Sequence, residues 1–169
     1  MDVRLPAAPW RDREGLEELA AVLGAADGLS RYVGGAVRDT LLGLDVADVD
    51  IATRLTPDQV LGRLKDAGIR AVPTGLAHGT VTAVLASGPV EVTTLRRDVE
   101  TFGRHATVAF STEWEEDAAR RDFTMNALYA DPLTGAVHDY HGGLADLAAA
   151  RPWPFPTGGR RTPPGATSR

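Results

Sequence analysis

The stretch Val33-Gly-Gly-Ala-Val-Arg-Asp-Thr-Leu-Leu-Gly-Leu-Asp-Val-Ala-Asp-Val-Asp50 most narrows what this chain can fold into. Arg31-Tyr-Val33 is a short strand candidate that runs into Gly34-Gly35, and Ala36 to Leu42 reads as a helix stopped by Gly43. A strand that turns through glycine into a helix exposes backbone N–H groups, and glycine lets phosphate oxygens approach them closely. Arg38 lies three residues after Gly35, one turn up on the same helical face, within reach of a triphosphate. Asp48-Val-Asp-Ile-Ala52 then alternates polar and apolar residues, which predicts a half-buried strand. A period of two puts Asp48 and Asp50 on one face and sends Val49 and Ile51 into the core. Two neighbouring carboxylates suit Mg2+ held jointly with substrate phosphates. Two such ions about 4 Å apart would activate an attacking hydroxyl and stabilise a leaving pyrophosphate. A third acid normally completes the cage, and Glu91 opens the next strong strand. Each part is cheap alone, since Gly-Gly occurs at 34–35, 142–143 and 158–159. The order and spacing carry the signal.

The rest of the chain supplies the frame. Residues 12–26 repeat apolar positions at Leu16, Leu19, Ala20 and Leu23, an amphipathic helix. Thr56 before Pro57 is an N-cap with proline at the first helical position, and that helix runs to Gly68. Thr80–Ala86 and Val90–Leu95 form a hairpin joined at Ser87-Gly-Pro89. Residues 98–111 lack periodicity and are expected as a loop. Thr112 with Glu115 suggests a capping box for a helix through Arg120. Ala127–Ala130 and Ala136–Tyr140 are expected as short strands, and Leu144–Ala150 as a last helix. Interleaved strands and helices give an α/β (mixed α+β) class with one mixed sheet flanked by helices. The twenty uncharged residues from Ala71 to Val90 are interrupted by proline and glycine, so they read as soluble strands and turns rather than a membrane span. No secretory signal fits the N-terminus, and the expected location is cytoplasmic.

Composition sets the boundaries. The 169 residues contain no cysteine, which excludes disulfides and thiolate metal sites. Residues 151–169 hold four arginines, no acid and five of the 11 prolines, a composition expected to be disordered. Residues 1–150 therefore carry 14 basic and 23 acidic side chains, a net of −9, which argues against coating nucleic acid. The expected division is an N-terminal helix at 1–28, a folded head at 29–150 and a tail at 151–169.

Gly-Gly-x-Val-Arg-Asp-x-Leu-Leu-Gly followed by Asp-x-Asp resembles the head-domain signature of class II tRNA nucleotidyltransferases and bacterial poly(A) polymerases, of the polymerase-β-like superfamily. Arg120-Arg-Asp-Phe-Thr-Met-Asn-Ala-Leu128 is similar to the family's Arg-Arg-Asp-Phe-Thr-Ile-Asn-Ala-Leu segment. Glu91-Val-Thr-Thr-Leu-Arg96 is similar to its third-carboxylate strand. Asp139-Tyr-His-Gly-Gly-Leu-Ala-Asp-Leu147 matches its closing segment loosely, with Tyr140 where proline is usual. The resemblance implies Asp48 and Asp50 as magnesium ligands, with Glu91 as the third acid. It implies Gly34, Gly35, Arg38 and Arg121 around the incoming ATP or CTP, and Asp122 and Asn126 ordering the pocket. The implied reaction is attack of an RNA 3′-hydroxyl, that of tRNA above all, on the α-phosphate, releasing pyrophosphate.

Other residues carry blander readings. Arg120 follows Glu115, Glu116 and Asp117, which offer helix-surface ion pairs, while His138 and His141 are expected solvated. Arg96, Arg97 and Arg104 either meet phosphates or form a solvated charge run. The family continues into a neck helix with Glu-Asp-x-x-Arg, which reads the base edges. No such motif follows Leu147 here, so a truncated or frame-shifted product with impaired addition and weak RNA grip is expected. The alternative is a non-catalytic or antitoxin-like binding module of the same fold.

Overall fold

The structure, a computed structural model, describes residues 3–99 and 107–150. The expected disordered tail lies outside them. In chain order the elements are α1 (Leu16–Val22), β1 (Ser30–Val33), α2 (Gly35–Leu41), β2 (Asp50–Thr53), α3 (Pro57–Asp66), β3 (Arg70–Gly75) and β4 (Thr80–Leu85). There follow β5 (Gly88–Thr94), β6 (Arg96–Val99), β7 (Thr107–Phe110), α4 (Trp114–Ala119), β8 (Leu128–Ala130), β9 (Val137–Asp139) and α5 (Gly143–Ala150). Seven strands form one sheet in the order β3-β4-β5-β2-β1-β8-β9, and β6 pairs with β7 in a separate two-stranded sheet. Within the large sheet β2 and β5 run parallel and the other neighbours antiparallel, so the sheet is mixed as expected.

Strand alternation divides the interior in two. Ile51, Val81, Ala83, Val90 and Val92 point to one face, where Leu16, Leu19 and Leu23 around α1 and Val60 and Leu64 of α3 cover them. Each fully buried leucine there contributes about 1.5–3 kcal/mol. Ala52, one residue after Ile51, points to the other face with Val33, Leu95, Tyr129 and α4's Trp114 and Ala118. Asp50 shares Ala52's parity, and Glu91 is out of phase with Val90 and Val92, so both acids fall on the α4 face. On that face α4 packs through Trp114 and Ala118, while Glu91 is exposed among the described residues.

Three expectations change. The N-terminal helix is shorter than 12–26, because α1 is bracketed by 3₁₀ turns at Pro9–Asp12 and Ala25–Asp27, with Gly15 and Gly24 left-handed at the junctions. The region 98–111 is not simply a loop: Arg96–Val99 pairs with Thr107–Phe110 as a two-stranded ribbon. A ribbon outside the main sheet needs no regular apolar face, which removed the sequence signal. The Thr112–Glu115 capping box does not form. Instead Ser111, fixed by its own N–H bond to the Leu95 carbonyl (2.7 Å), accepts from Glu113 N–H (3.0 Å) and donates to Glu116, so α4 starts at Trp114.

The Thr56 cap is present in full. Thr56 Oγ1 accepts from Gln59 N–H at 3.3 Å, and Gln59 Oε1 accepts from Thr56 N–H at 2.9 Å. Thr56→Ala is expected to cost about 1 kcal/mol. That lowers the melting temperature by roughly 2–4 °C in a chain of this size, with Thr56→Ser restoring it. A circular-dichroism melt unchanged by Thr56→Ala would contradict this account of α3.

Candidate active site

The acids converge because β2 and β5 run parallel in register, Asp50 beside Glu91. Thr82 on β4 stands opposite Glu91 on its other side. Asp48 precedes the strand rather than opening it, since pairing begins at Asp50, yet Val49 and Ile51 are both buried as expected. Asp48, Asp50 and Glu91 line one open cleft of about 450 Å³ together with Val49, Thr82 and Pro89. Asp48 and Glu91 are exposed and Asp50 is half-buried. Burial, then the Glu91 and Asp48 carboxylates, push the Asp50 carboxyl up to about 6, while Arg121 works the other way. Negative charge is thus concentrated beyond what the fold alone favours, a donor set of hard oxygens that a divalent cation would relieve. Among the described residues no three His, Cys, Asp or Glu side chains close on one point as a ready-made cage.

The glycine turn lies at the end of β1. Gly34 has φ 76° and ψ −133°, a conformation open to glycine alone, and its N–H donates to the Leu128 carbonyl at 3.2 Å. Gly35 begins α2, and a Cβ built there would sit 3.3 Å from Arg38 Nη2, so the arginine folds back over the glycine. Arg38 donates from Nε to Asp39 Oδ1 (2.8 Å), from Nη2 to Asp39 Oδ2 (3.3 Å) and from Nη1 to Asn126 Oδ1 (2.6 Å). Two residues singled out 88 positions apart therefore touch. Asp122 is exposed at the end of α4's following turn.

Arg121 is anchored differently from the surface pairing expected around α4. Its Nε and Nη2 donate to Asp117 Oδ2 at 3.2 and 3.0 Å, and Asp117 is buried. Tyr129 Oη donates to the same oxygen at 2.6 Å, and the Arg96 N–H donates to Oδ1 at 3.0 Å. Burial opposes the Arg121 charge, but Asp117 and Tyr129 together outweigh it and raise its proton affinity. Burial and then Asp117 push the Tyr129 phenol up. Arg120 pairs with Asp98 of β6 at 3.3 Å, not with the acids of its own helix. Beside this cluster the Arg31 guanidinium lies 4.2 Å over the Trp114 ring and donates to Tyr140 Oη at 2.8 Å. His138 is half-buried rather than solvated; burial, then Arg31, hold its imidazole below the usual range. His141 is exposed, as expected.

Sequence reading missed Asp117, Tyr129 and Thr82. Asp117 stands four residues before Arg121, a helical spacing visible in the sequence, and Thr82 follows from the hairpin register around Ser87-Gly-Pro89. Asp139, noted only as part of a loose motif, accepts the N–H groups of Gly143 (2.7 Å) and Leu144 (3.0 Å) and so caps α5.

Because the folded-state affinity of Asp50 for its proton exceeds the unfolded one, its contribution to stability is full below about pH 4. It is lost as pH rises towards 6. In the metal-free protein Asp50→Asn is therefore expected to raise the melting temperature at pH 7.5 by a few degrees, and by less at pH 5. A lower melting temperature for Asp50→Asn at pH 7.5 would refute the repulsion described for this cleft.

Comparison with known proteins agrees with this geometry. The Poly A polymerase head domain matches residues 30–151. The mitochondrial CCA tRNA nucleotidyltransferase 1 of Mus musculus is 47% identical over 135 residues, covering 79% of this chain and 31% of that protein. The CCA-adding enzyme of Bacillus pumilus is 43% identical over 122 residues, 71% of this chain and 29% of that protein. Among solved structures, the Bacillus stearothermophilus CCA-adding enzyme in complex with CTP superimposes with a TM-score of 0.65 at 35% identity, covering 83% of this chain and 33% of that one. A tRNA nucleotidyltransferase complexed with a primer tRNA and an incoming ATP analog gives a TM-score of 0.57 at 29% identity, covering 79% of this chain and 36% of that one. The chain thus spans about a third of the length of these relatives. With the glycine turn, the paired carboxylate strands and the Arg-Arg-Asp segment in place, the chain belongs to the Poly A polymerase head domain family.

Proposed function

We propose that this chain is the catalytic head of a template-independent nucleotidyltransferase. It transfers a nucleotide from CTP or ATP to the 3′-hydroxyl of a tRNA and releases pyrophosphate. The observation that carries this reading is the lateral pairing of Asp50 with Glu91 in a cleft that also contains Asp48 and feels the charge of Arg121. Asp48 and Asp50 would hold Mg2+, which when bound neutralises phosphate charge and lowers the proton affinity of the attacking hydroxyl. Glu91, on the same cleft, would draw the proton from that hydroxyl, whose oxygen bonds to the α-phosphorus as the bond from the α-phosphorus to the pyrophosphate oxygen breaks. Arg38 and Arg121 meet the negative charge of the triphosphate, and the backbone at Gly34 and Gly35 leaves room beside it. Asn126 holds Arg38 through its Nη1, and Asp122 would help order the same pocket. To grip a phosphate, Arg38 would exchange its Asp39 contacts, half-exposed on both sides, for charge-assisted bonds of the same kind. Among the described residues no helix is long and apolar enough to cross a membrane.

The test is ligand-dependent stability and transfer. At saturating Mg–ATP or Mg–CTP, about 100-fold above the dissociation constant, a ligand specific to the folded state stabilises by about 2.7 kcal/mol. The melting temperature should therefore rise by several degrees in the wild type and not in Asp48→Ala. Addition of radiolabelled CTP and then ATP to a tRNA lacking its 3′ end is expected to be weak from the 169 residues alone. It should fall on the order of 10³-fold further in Asp48→Ala or Asp50→Ala. No thermal shift in the wild type would favour a non-catalytic module of this fold.

A further inference from the structure

Arg121 owes its geometry to two groups to which the proposed reaction gives no role. Asp117 is 1% exposed and accepts four hydrogen bonds: three on Oδ2, from Arg121 Nε, Arg121 Nη2 and Tyr129 Oη, and one on Oδ1, from the Arg96 N–H. The carboxylate is thereby pinned to β6 and β8 as well as to its own helix and cannot turn without breaking several bonds. Tyr129, fully buried, packs edge-on against Trp114 with ring centroids 5.2 Å apart, and the Arg121 guanidinium lies 5.7 Å over its ring. Among the described residues nothing accepts from Arg121 Nη1, while the charge of that guanidinium reaches Asp50 in the cleft.

Resting on the nucleotide role given to Arg121 above, we infer that Asp117 and Tyr129 are positioning residues, which lock Arg121 in one orientation with Nη1 presented to the substrate's phosphates. An ordinary pair four residues apart on a helix is solvated and worth little. A carboxylate buried this deeply gains little net stability over its lost hydration, so its consequence is geometric. Holding a long flexible arginine in place before the ligand arrives removes an ordering cost from binding. A phenol is protonated throughout the neutral range, so Tyr129 Oη stays a donor to Asp117 Oδ2.

The test is a double-mutant cycle on the 169-residue chain, reading the Mg–CTP dissociation constant by calorimetry. Arg121→Ala and Asp117→Asn are each expected to weaken binding about tenfold, and Tyr129→Phe about threefold. In the Arg121→Ala background neither Asp117→Asn nor Tyr129→Phe should weaken it further. Tyr129→Phe keeps the ring packed against Trp114 and provides the same comparison if Asp117→Asn fails to fold. Equal weakening by Tyr129→Phe in both backgrounds would show action independent of Arg121 and overturn the inference. So would wild-type affinity in Tyr129→Phe and Asp117→Asn when Arg121→Ala binds weakly. If Arg121→Ala itself binds normally, the nucleotide role of Arg121 falls, and this inference with it.

Discussion

The parallel pairing of β2 with β5 is the constraint from which the site follows. A parallel neighbour demands a crossover, and here α3, β3 and β4 supply it, packing Val60 and Leu64 onto the buried face. Once Ile51 lies beside Val92 in that core, the pleat leaves Asp50 beside Glu91 on the opposite face. A one-residue slip would bury an acid and expose isoleucine, so hydrophobic burial on one side fixes carboxylate spacing on the other.

That arrangement stores repulsion. Asp48, Asp50 and Glu91 share one cleft, and the protein's nearby positive charge is partly engaged: Arg38 with Asp39 and Asn126, Arg121 with Asp117. Burial and then the Glu91 and Asp48 carboxylates push Asp50 up, and on the reading proposed above a metal–nucleotide complex would supply the missing balance of charge. On that proposed reading the net −9 of residues 1–150 includes the acids that would hold magnesium, which reconciles an acidic chain with chemistry on phosphates.

Much of this was legible in the sequence wherever a residue's environment is local or periodic. Thr56-Pro57 announced α3 because both capping bonds lie within four residues, and Asp48-Val-Asp-Ile showed its buried parity by alternation. Glu91 stood out as a third acid at the head of the next strong strand and through the family resemblance, but its lateral pairing with Asp50 was not legible, since register between distant strands leaves no local trace. The ribbon at β6–β7 escaped because charged Arg96, Arg97 and Asp98 carry no apolar period. Asp117 escaped for another reason: Glu115, Glu116 and Asp117 look alike as a solvated acidic turn, and only the packing of Trp114 and Tyr129 decides which is buried. Arg120 shows the same limit, its partner Asp98 being brought close by the ribbon.

The most direct test of the account is paramagnetic broadening in the amide NMR spectrum of the 169-residue chain, with Mn2+ standing in for magnesium in the presence of CTP. The account predicts that the resonances of Asp48, Asp50, Thr82 and Glu91 broaden first, that Gly34 and Gly35 follow, and that the set at 48–50 is spared in Asp48→Ala. Broadening that leaves residues 48–50 and 91 sharp, or that is unchanged by Asp48→Ala, would contradict it.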